Sequence, residues 1–143
     1  MSKIAVVYWS GTGNTREMAN SVAEGVKSVG GEVELFTPLE FPAEKINNYD
    51  GIAFGCPSMG AEVLEETEFE PMFIKVKPLL NEKPIALFGS YGWGDGEWMR
   101  NWEDDCQKSG CNLICDPVIA NEMPDDKAKV ECKALGETLA KDM

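Results

Sequence analysis

A stretch of hydroxyl, amide and glycine residues near the amino terminus is the first part of the sequence able to bind a ligand. Residues 10–15 read Ser-Gly-Thr-Gly-Asn-Thr and follow an apolar run over residues 4–9. Two glycines let the backbone curl until several N–H groups converge, and the helix expected next adds the positive end of its dipole. The segment therefore predicts a phosphate-binding loop of uncharged donors: Ser10, Gly11, Thr12, Gly13, Asn14 and Thr15.

This loop differs from two widespread nucleotide-binding motifs. It lacks the lysine that follows the glycines in the P-loop of nucleotide hydrolases, and it lacks the third glycine of the dinucleotide-binding pattern. A plain turn with Asn14 or Thr15 as helix N-cap would account for only part of the segment. The composition of the loop therefore favours a phosphate site of another class.

Two further loops combine small, polar and large apolar residues. Residues 57–62 read Pro-Ser-Met-Gly-Ala-Glu, and residues 90–97 read Ser-Tyr-Gly-Trp-Gly-Asp-Gly-Glu. A simple connection does not need the aromatic rings of Tyr91 and Trp93 between glycines, whereas a flat ligand ring could pack against them. The structural alternatives are that Trp93 folds back over the core and that Met59 fills space. Their placement together with the phosphate loop favours a ligand.

The elements expected to position these loops alternate between strands and helices. Four apolar runs are typical of buried parallel strands: residues 4–9, 51–55, 84–89 and 113–115, the last with its continuation 118–119. Residues 32–36 alternate between polar and apolar types, which is typical of an edge strand. Apolar residues recur at helical spacing between them: Met18, Val22, Val26 and Val29; Met72, Val76 and Leu80, from a start near Pro71; Trp98, Trp102 and Cys106; Ala128, Cys132, Leu135 and Leu139.

Five βα units predict a three-layer, doubly wound α/β fold with a five-stranded parallel sheet in the order 2-1-3-4-5. Ligands of such folds bind outside the carboxyl ends of the strands, where the strand order reverses. That reversal lies between the first and third strands. The phosphate loop and the two further loops follow the first, third and fourth strands, so we expect them to meet there.

Composition excludes several classes of function. The chain has 143 residues, no histidine and a formal net charge of −12, and we expect one domain over residues 1–143. Without histidine there is no Ser–His or Cys–His pair and no histidine-ligated metal or haem, and we expect no metal site. The acidic balance argues against nucleic acid and anionic membranes. Five cysteines without a Cys-x-x-Cys pair, and the lack of a membrane-length apolar run, predict a soluble cytoplasmic protein.

Three segments at matching spacing resemble the short-chain flavodoxins, over essentially the whole chain. These are residues 8–15, residues 59–62 followed by Glu65-Glu66, and residues 88–94. The resemblance implies a flavodoxin-like fold that holds FMN without a covalent bond. It places the phosphate in the first loop, Met59 and Trp93 on the two faces of the ring, Glu62 on the ring N3–H and the Gly60 carbonyl near N5. The implied cofactor-binding residues beyond the first loop are Pro57, Ser58, Met59, Gly60, Ala61, Glu62, Ser90, Tyr91, Gly92, Trp93, Gly94 and Asp95.

The function implied by this resemblance is a low-potential one-electron carrier that works in place of ferredoxin and turns over no substrate of its own. FMN would cycle between a neutral semiquinone and an anionic hydroquinone. The second reduction places a further negative charge beside the phosphate in an acidic protein, which lowers its potential. The implied partners of this monomer are redox proteins with basic patches: flavodoxin or ferredoxin reductase-type donors and oxidoreductase acceptors. The acidic stretch 62–68, with Asp95 and Glu97, is the expected docking face.

Two other functions remain open from the sequence. An NAD(P)H-dependent quinone or flavin reductase could use the same fold and FMN, although the short chain offers no evident second nucleotide pocket. A receiver-type signalling domain would need an acidic cluster after the first strand and an aspartate at the end of the third. The sequence has Ser10-Gly11 and Gly55-Cys56 there. Arg16 is either a solvated residue of the first helix or a neighbour of the phosphate.

Overall fold

The computed structural model describes residues 2–60, 62–92 and 94–141. A parallel sheet runs in the order β2-β1-β3-β4-β5, and β6 also pairs with β4. Its strands are β1 Lys3–Tyr8, β2 Glu32–Phe36, β3 Gly51–Gly55, β4 Pro84–Tyr91, β5 Asn112–Leu113 and β6 Val118–Asn121. The α-helices are α1 Asn14–Ser28, α2 Phe69–Val76, α3 Glu97–Lys108 and α4 Asp126–Lys141. Short 3-10 helices span Pro38–Glu40, Ala43–Asn48 and Lys77–Leu79.

The strand order predicted from the sequence is confirmed, and the burial of the strands explains their patterns of apolar and polar residues. Residues 4–7 of β1 are wholly buried because helices cover both faces of the sheet. Ile4 and Val6 contact the layer of α1 and α4, whereas Ala5 and Val7 contact the layer of α2 and α3. Strand β2 lies at the edge, pairs only with β1 among the described strands, and is largely exposed.

The fifth strand differs from the prediction because it is split. We predicted a run from Leu113 to Cys115 that continues to Val118 and Ile119, but Ile114 to Pro117 lie outside the strands. Strand β4 advances four positions between the residues paired with Asn112 and Val118, while the fifth strand advances six. The extra residues must bulge out of the ladder, and Pro117 has no N–H to donate to it.

The helices follow the predicted apolar faces, with one shift. Helix α2 begins at Phe69, two residues before the predicted start, and Pro71 occupies its first turn, where a missing N–H costs nothing. It changes to a 3-10 turn at Lys77, next to Pro78. None of the helices in the described ranges has both the length and the hydropathy needed to cross a bilayer.

Helices α1 and α4 pack together through a pair of glycines. A Cβ atom added to Gly136 would lie 2.1 Å from the carbonyl oxygen of Val22, and one added to Gly25 would lie 2.0 Å from that of Lys133. Each glycine therefore makes room for the backbone of the other helix. This close approach fixes the position of α1, whose amino terminus follows the first of the three predicted loops.

Candidate functional site

The three predicted loops lie side by side at the carboxyl edge of the sheet. Strands β1, β3 and β4 are adjacent, and their ends are joined by hydrogen bonds that continue beyond the strands. The N–H of Trp9 donates to the carbonyl of Gly55 at 3.0 Å, and the N–H of Ser58 donates to the carbonyl of Ser90 at 3.0 Å. The sheet therefore brings the loops together as the strand order predicted.

The first loop gathers backbone donors around one oxygen atom. Gly13 has φ +98°, a left-handed conformation that glycine adopts freely, and it lies at the N-cap of α1. The N–H groups of Gly13 and Arg16 both donate to Ser10 Oγ, at 3.1 and 3.3 Å. Since the first N–H groups of a helix have no intrahelical acceptor, this convergence forms a nest suited to an anion such as a phosphate.

A pair of buried hydroxyls ties the first loop to the third. Thr15 Oγ1 and Ser90 Oγ lie 3.0 Å apart, and their residues are only 1% and 4% exposed. Each hydroxyl gives the other a partner, as buried polar groups require. Ser90 also accepts the hydrogen bond from Ser58, so this one residue connects all three loops. Thr15 and Ser90 therefore hold the loops in register.

A cavity of about 410 Å³ opens beside the first loop. The indole of Trp9 packs directly over Gly11, where an added Cβ would lie 2.9 Å from the ring. The Arg16 guanidinium lies 3.8 Å from the Cβ position of Gly13, although the residue is exposed. The structure thus places a cation next to the uncharged nest. The cavity is lined by Tyr8, Trp9, Ser10, Gly11, Thr12, Gly13, Arg16, Thr37, Pro38 and Glu68.

The second loop is a short hairpin closed by Met59 and Val63. Their N–H and carbonyl groups bond reciprocally, at 2.8 and 3.1 Å. Met59 is half-buried, so part of its thioether is available to a ligand, and Gly60 is exposed with φ +47°. Ala61 and Trp93, predicted at the ring and its outer face, lie outside the described residues.

Glu62 is held in an unusual position for a charged residue. It is 8% exposed and has φ +56°, a left-handed conformation that costs an ordinary residue about 1–2 kcal/mol. Its Oε1 accepts the N–H of Glu97 at the start of α3, at 3.1 Å, where the helix dipole favours a carboxylate. No hydrogen bond from the described part of the chain reaches Oε2, which leaves an acceptor for a ligand N–H.

The third loop approaches Glu62 through a glycine. Gly94 has φ +85°, and an added Cβ would lie 2.4 Å from Glu62 Oε1. Asp95 is exposed and pairs with Arg100 at 3.0 Å. The Tyr91 ring is half-buried against Trp98, with ring centroids 5.5 Å apart, so Tyr91 is less exposed than the sequence indicated.

Glu65 is a buried structural residue that the sequence analysis placed in the docking face. We expected the acidic stretch 62–68 to form a docking face, with Glu62 also at the flavin ring, but Glu62 is 8% exposed and Glu65 is 4% exposed. Its carboxylate accepts the N–H groups of Thr67, Glu68 and Phe69 at 2.8–2.9 Å, and also the Thr67 hydroxyl. Burial alone would raise the pKa of Glu65, but these bonds outweigh it and lower the pKa. An acidic residue shortly before a predicted helix was the available signal.

Replacing Glu65 with glutamine should lower the free energy of unfolding by about 1–3 kcal/mol, because one amide oxygen cannot replace four charge-assisted bonds. Since the pKa of the folded carboxyl is lowered, its stabilisation is complete above the pKa of the unfolded chain and is lost as pH falls through the folded value. Urea unfolding of both proteins should therefore show a difference that is largest near pH 7 and shrinks below about pH 4.3. The exposed neighbour Glu66→Gln should stay within about 0.5 kcal/mol of the original protein. Equal losses in the two variants would contradict this role of Glu65.

No group of three or more metal-ligating side chains occurs among residues 2–60, 62–92 and 94–141. The fold and the three loops define an α/β protein with an anion nest and, beside it, a carboxylate acceptor and a thioether at the strand-order reversal.

Comparison with known proteins identifies this class. A sequence profile of the Flavodoxin family matches residues 6–136. The flavodoxin of Megasphaera elsdenii is 45% identical over 138 residues, which cover 96% of this chain and 98% of the relative. That of Clostridium beijerinckii is 42% identical over 135 residues, which cover 94% and 97%. The solution structure of two-electron reduced Megasphaera elsdenii flavodoxin superposes with a TM-score of 0.89, with 44% identity and coverage of 96% and 98%.

The chain belongs to the flavodoxin family, whose members carry electrons with bound FMN. The resemblance and the strand order predicted from the sequence are thereby confirmed. The nest at Ser10, the loops joined through Ser90 and the Glu62 oxygen that accepts no hydrogen bond from the described residues all fit a phosphorylated flavin. FMN supplies the redox chemistry of such a protein, and the chain supplies binding, orientation and electrostatics.

Proposed function

We propose that residues 1–143 form one FMN-binding domain that carries single electrons at low potential between redox enzymes, in place of ferredoxin, and has no substrate turnover of its own. The bound FMN would alternate between the neutral semiquinone and the anionic hydroquinone. The observation that carries this proposal is the junction of three loops through Ser90, which places an anion nest and a carboxylate acceptor at one edge.

The residues of this edge have distinct roles in the proposal. The first loop, from Ser10 to Thr15, binds the phosphate through backbone N–H groups and hydroxyls. The backbones of residues 57–60 and 90–92, with Gly94 and Asp95, line the ring edge, and Met59 covers the inner face. Glu62 Oε2 accepts the ring N3–H while Oε1 stays on α3. Ala61 and Trp93 complete the site.

The charge of the chain supports a low second potential. The formal net charge is −12, and the buried carboxylate of Glu62 lies at the proposed ring edge. A second electron that leaves an anion here meets negative charge at low local dielectric, which makes full reduction costly. A reductive titration of the holoprotein at neutral pH should therefore show two separated one-electron steps. The absorption band of the flavin radical should appear after the first step and disappear in the second. A single two-electron step would contradict the proposal and favour the reductase alternative, which the comparisons do not favour.

We propose further that this protein is a cytoplasmic monomer and that its partners carry basic patches. Glu66, Asp95 and Glu97 are exposed near the loops, while Glu62 and Glu65 are turned inward and contribute little to docking. Exposed charges steer weak and fast encounters, which salt screens. Electron transfer to a basic redox protein should slow by about tenfold between about 10 mM and 0.3 M salt.

The salt experiment has a matched pair of variants. Glu66→Gln removes a charge near the loops, and Glu131→Gln removes another exposed charge, on α4. Stopped-flow rates at low salt should fall more for Glu66→Gln than for Glu131→Gln. Rates that are independent of salt, or equal losses in both variants, would contradict docking at this face.

Arg16 should strengthen binding of the phosphate group. It is exposed beside Gly13, and no ion pair within residues 2–60, 62–92 and 94–141 includes it. Arg16→Gln should weaken FMN binding by about two- to fivefold at low salt, as expected for an exposed charge pair, and leave riboflavin binding unchanged. Lys27→Gln, at the far end of α1, makes the same change in net charge and should have no effect on either ligand. Fluorescence titrations measure all of these affinities, and equal effects of Arg16→Gln on FMN and riboflavin would refute the role.

A further inference from the structure

Two cysteines lie together where α3 ends. Gly110 has φ +79°, its N–H donates to the carbonyl of Gln107 at 3.1 Å, and the N–H of Cys111 donates to the carbonyl of Cys106 at 2.9 Å. This pair of bonds is the Schellman motif, in which the two residues joined by the bond that spans more of the chain, here Cys106 and Cys111, commonly place their side chains in contact. In this chain both of those side chains are thiols. The motif therefore brings Cys106 and Cys111 together.

The backbone bond limits the distance between these residues. From the Cα of Cys106 through its carbonyl oxygen to the nitrogen and Cα of Cys111, the path spans at most about 6.8 Å, given standard bond lengths and the 2.9 Å contact. Disulfide-bonded residues have Cα atoms about 4.4–6.8 Å apart. The distance between the two Cα atoms therefore meets the upper limit for a disulfide.

The two thiols differ in access. Cys106 is wholly buried among the core residues under α3, and Cys111 is half-buried against the same cluster. Cys111 also lines a surface cavity of about 440 Å³, together with Lys77 and Asn81. Burial raises the pKa of both thiols, and Asp105 adds to this effect. At Cys111 the hydrogen bond with Cys106 and then the charge of Lys77 partly offset it, and Lys77 acts on Cys106 as well. An oxidant from solvent therefore meets Cys111 first.

We propose that Cys106 and Cys111 form a dithiol site that hydrogen peroxide converts into an intramolecular disulfide. The sulfur of Cys111 attacks peroxide, the O–O bond breaks, and Cys111 becomes a sulfenic acid while one water leaves. The sulfur of Cys106 then attacks that of Cys111, the S–O bond breaks, and a second water leaves with the thiol proton. Two thiols are thus oxidised by two electrons and one peroxide is reduced to two waters. The site lies at the opposite end of α3 from Glu97, so it is separate from the cofactor loops and independent of their function.

The experiment counts thiols in the full-length protein. The chain is reduced, desalted, treated with hydrogen peroxide and denatured in N-ethylmaleimide, and its intact mass and linked peptides are determined. Untreated protein should take five labels, matching its five free cysteines. Treated protein should take three and yield a linked pair of peptides that contains Cys106 and Cys111. Because thiolates are the reacting form, the loss should be faster at pH 9 than at pH 7.

Matched variants separate this site from general oxidation. Cys111→Ala should keep four labels under the same treatment. Cys106→Ala should fall from four to three without any linked peptide, because the sulfenic acid at Cys111 has no second thiol to attack it. Cys132→Ala, which removes a buried cysteine elsewhere, should fall from four to two. The linked peptide in the unmodified chain tests the proposal even if a variant fails to fold. Five labels after treatment, a link between two chains, or a sulfinic acid at Cys111 without any linked peptide would overturn it.

Discussion

Replacing Gly94 with alanine should weaken FMN binding by about 10- to 100-fold. The new methyl group would lie 2.4 Å from Glu62 Oε1, at a residue with φ +85°. A left-handed conformation costs alanine about 1–2 kcal/mol, and displacement of Glu62 breaks its bond to the start of α3. The free variant can relax by moving this loop, but binding must restore the strained arrangement. Fluorescence titration of the apoprotein with FMN measures the change.

Gly30 provides the control for this substitution. It follows α1, away from the three loops, and has φ +85°, the same left-handed conformation as Gly94, and apart from its chain neighbours no described atom lies within 4 Å of an added Cβ. Gly30→Ala therefore carries the same backbone strain without a clash and should bind FMN within about threefold of the original chain. If Gly94→Ala binds FMN as tightly as Gly30→Ala, the arrangement of Gly94 and Glu62 is not required for the site.

Replacing Gly136 with alanine should lower the free energy of unfolding by about 1–3 kcal/mol. In an exposed helix the same change would stabilise by about 1 kcal/mol, because alanine has the higher helix propensity. Here the methyl group would lie 2.1 Å from the carbonyl oxygen of Val22, which belongs to the backbone of α1 and cannot rotate away. Helices α1 and α4 would have to separate, which also shifts the phosphate loop. Urea unfolding of the apoprotein measures this loss.

An exposed position on α4 gives the matched control. Ala134→Gly should cost about 1 kcal/mol through propensity alone. Its effect on FMN affinity should be negligible, whereas Gly136→Ala should weaken FMN binding as well as stability. A Gly136→Ala protein that is more stable than the original would show that the two helices have room for a methyl group.

The fold was predictable for those segments whose own pattern of apolar and polar residues indicates which faces are buried. The run from Ile4 to Val7 is apolar without interruption because helices cover both faces of β1, and the alternation in β2 follows from its place at the edge. The split of the fifth strand was not predictable in this way. The split depends on the register between the fifth strand and β4, where six positions of the fifth strand lie beside four of β4. Register depends on both strands, so the sequence of one strand does not reveal it.

The candidate site shows the same division. The anion-binding character of the loop from Ser10 to Thr15 could be predicted because its hydrogen-bond donors are adjacent in the sequence. Glu65 was predicted in an exposed docking face because the groups that hold it are backbone N–H groups, whose only trace in the sequence is an acidic residue shortly before a helix. Glu62 was predicted at the ring, but its bond to α3 was not. The partner of Glu62 lies 35 positions away at the start of α3. Side chains that bind backbone atoms are thus the part of such a site that a single sequence reveals least.

Titration of the apoprotein with FMN and, in parallel, with riboflavin tests the central claim most directly. The claim is that three loops at one edge of the sheet bind a flavin through its phosphate and its ring. Flavin fluorescence should be quenched to a sharp end point at one FMN per chain, and riboflavin should bind at least about tenfold more weakly, since it lacks the phosphate that the nest at Ser10 accepts. Fluorescence that stays unquenched at micromolar concentrations, or equal affinity for the two flavins, would contradict the account.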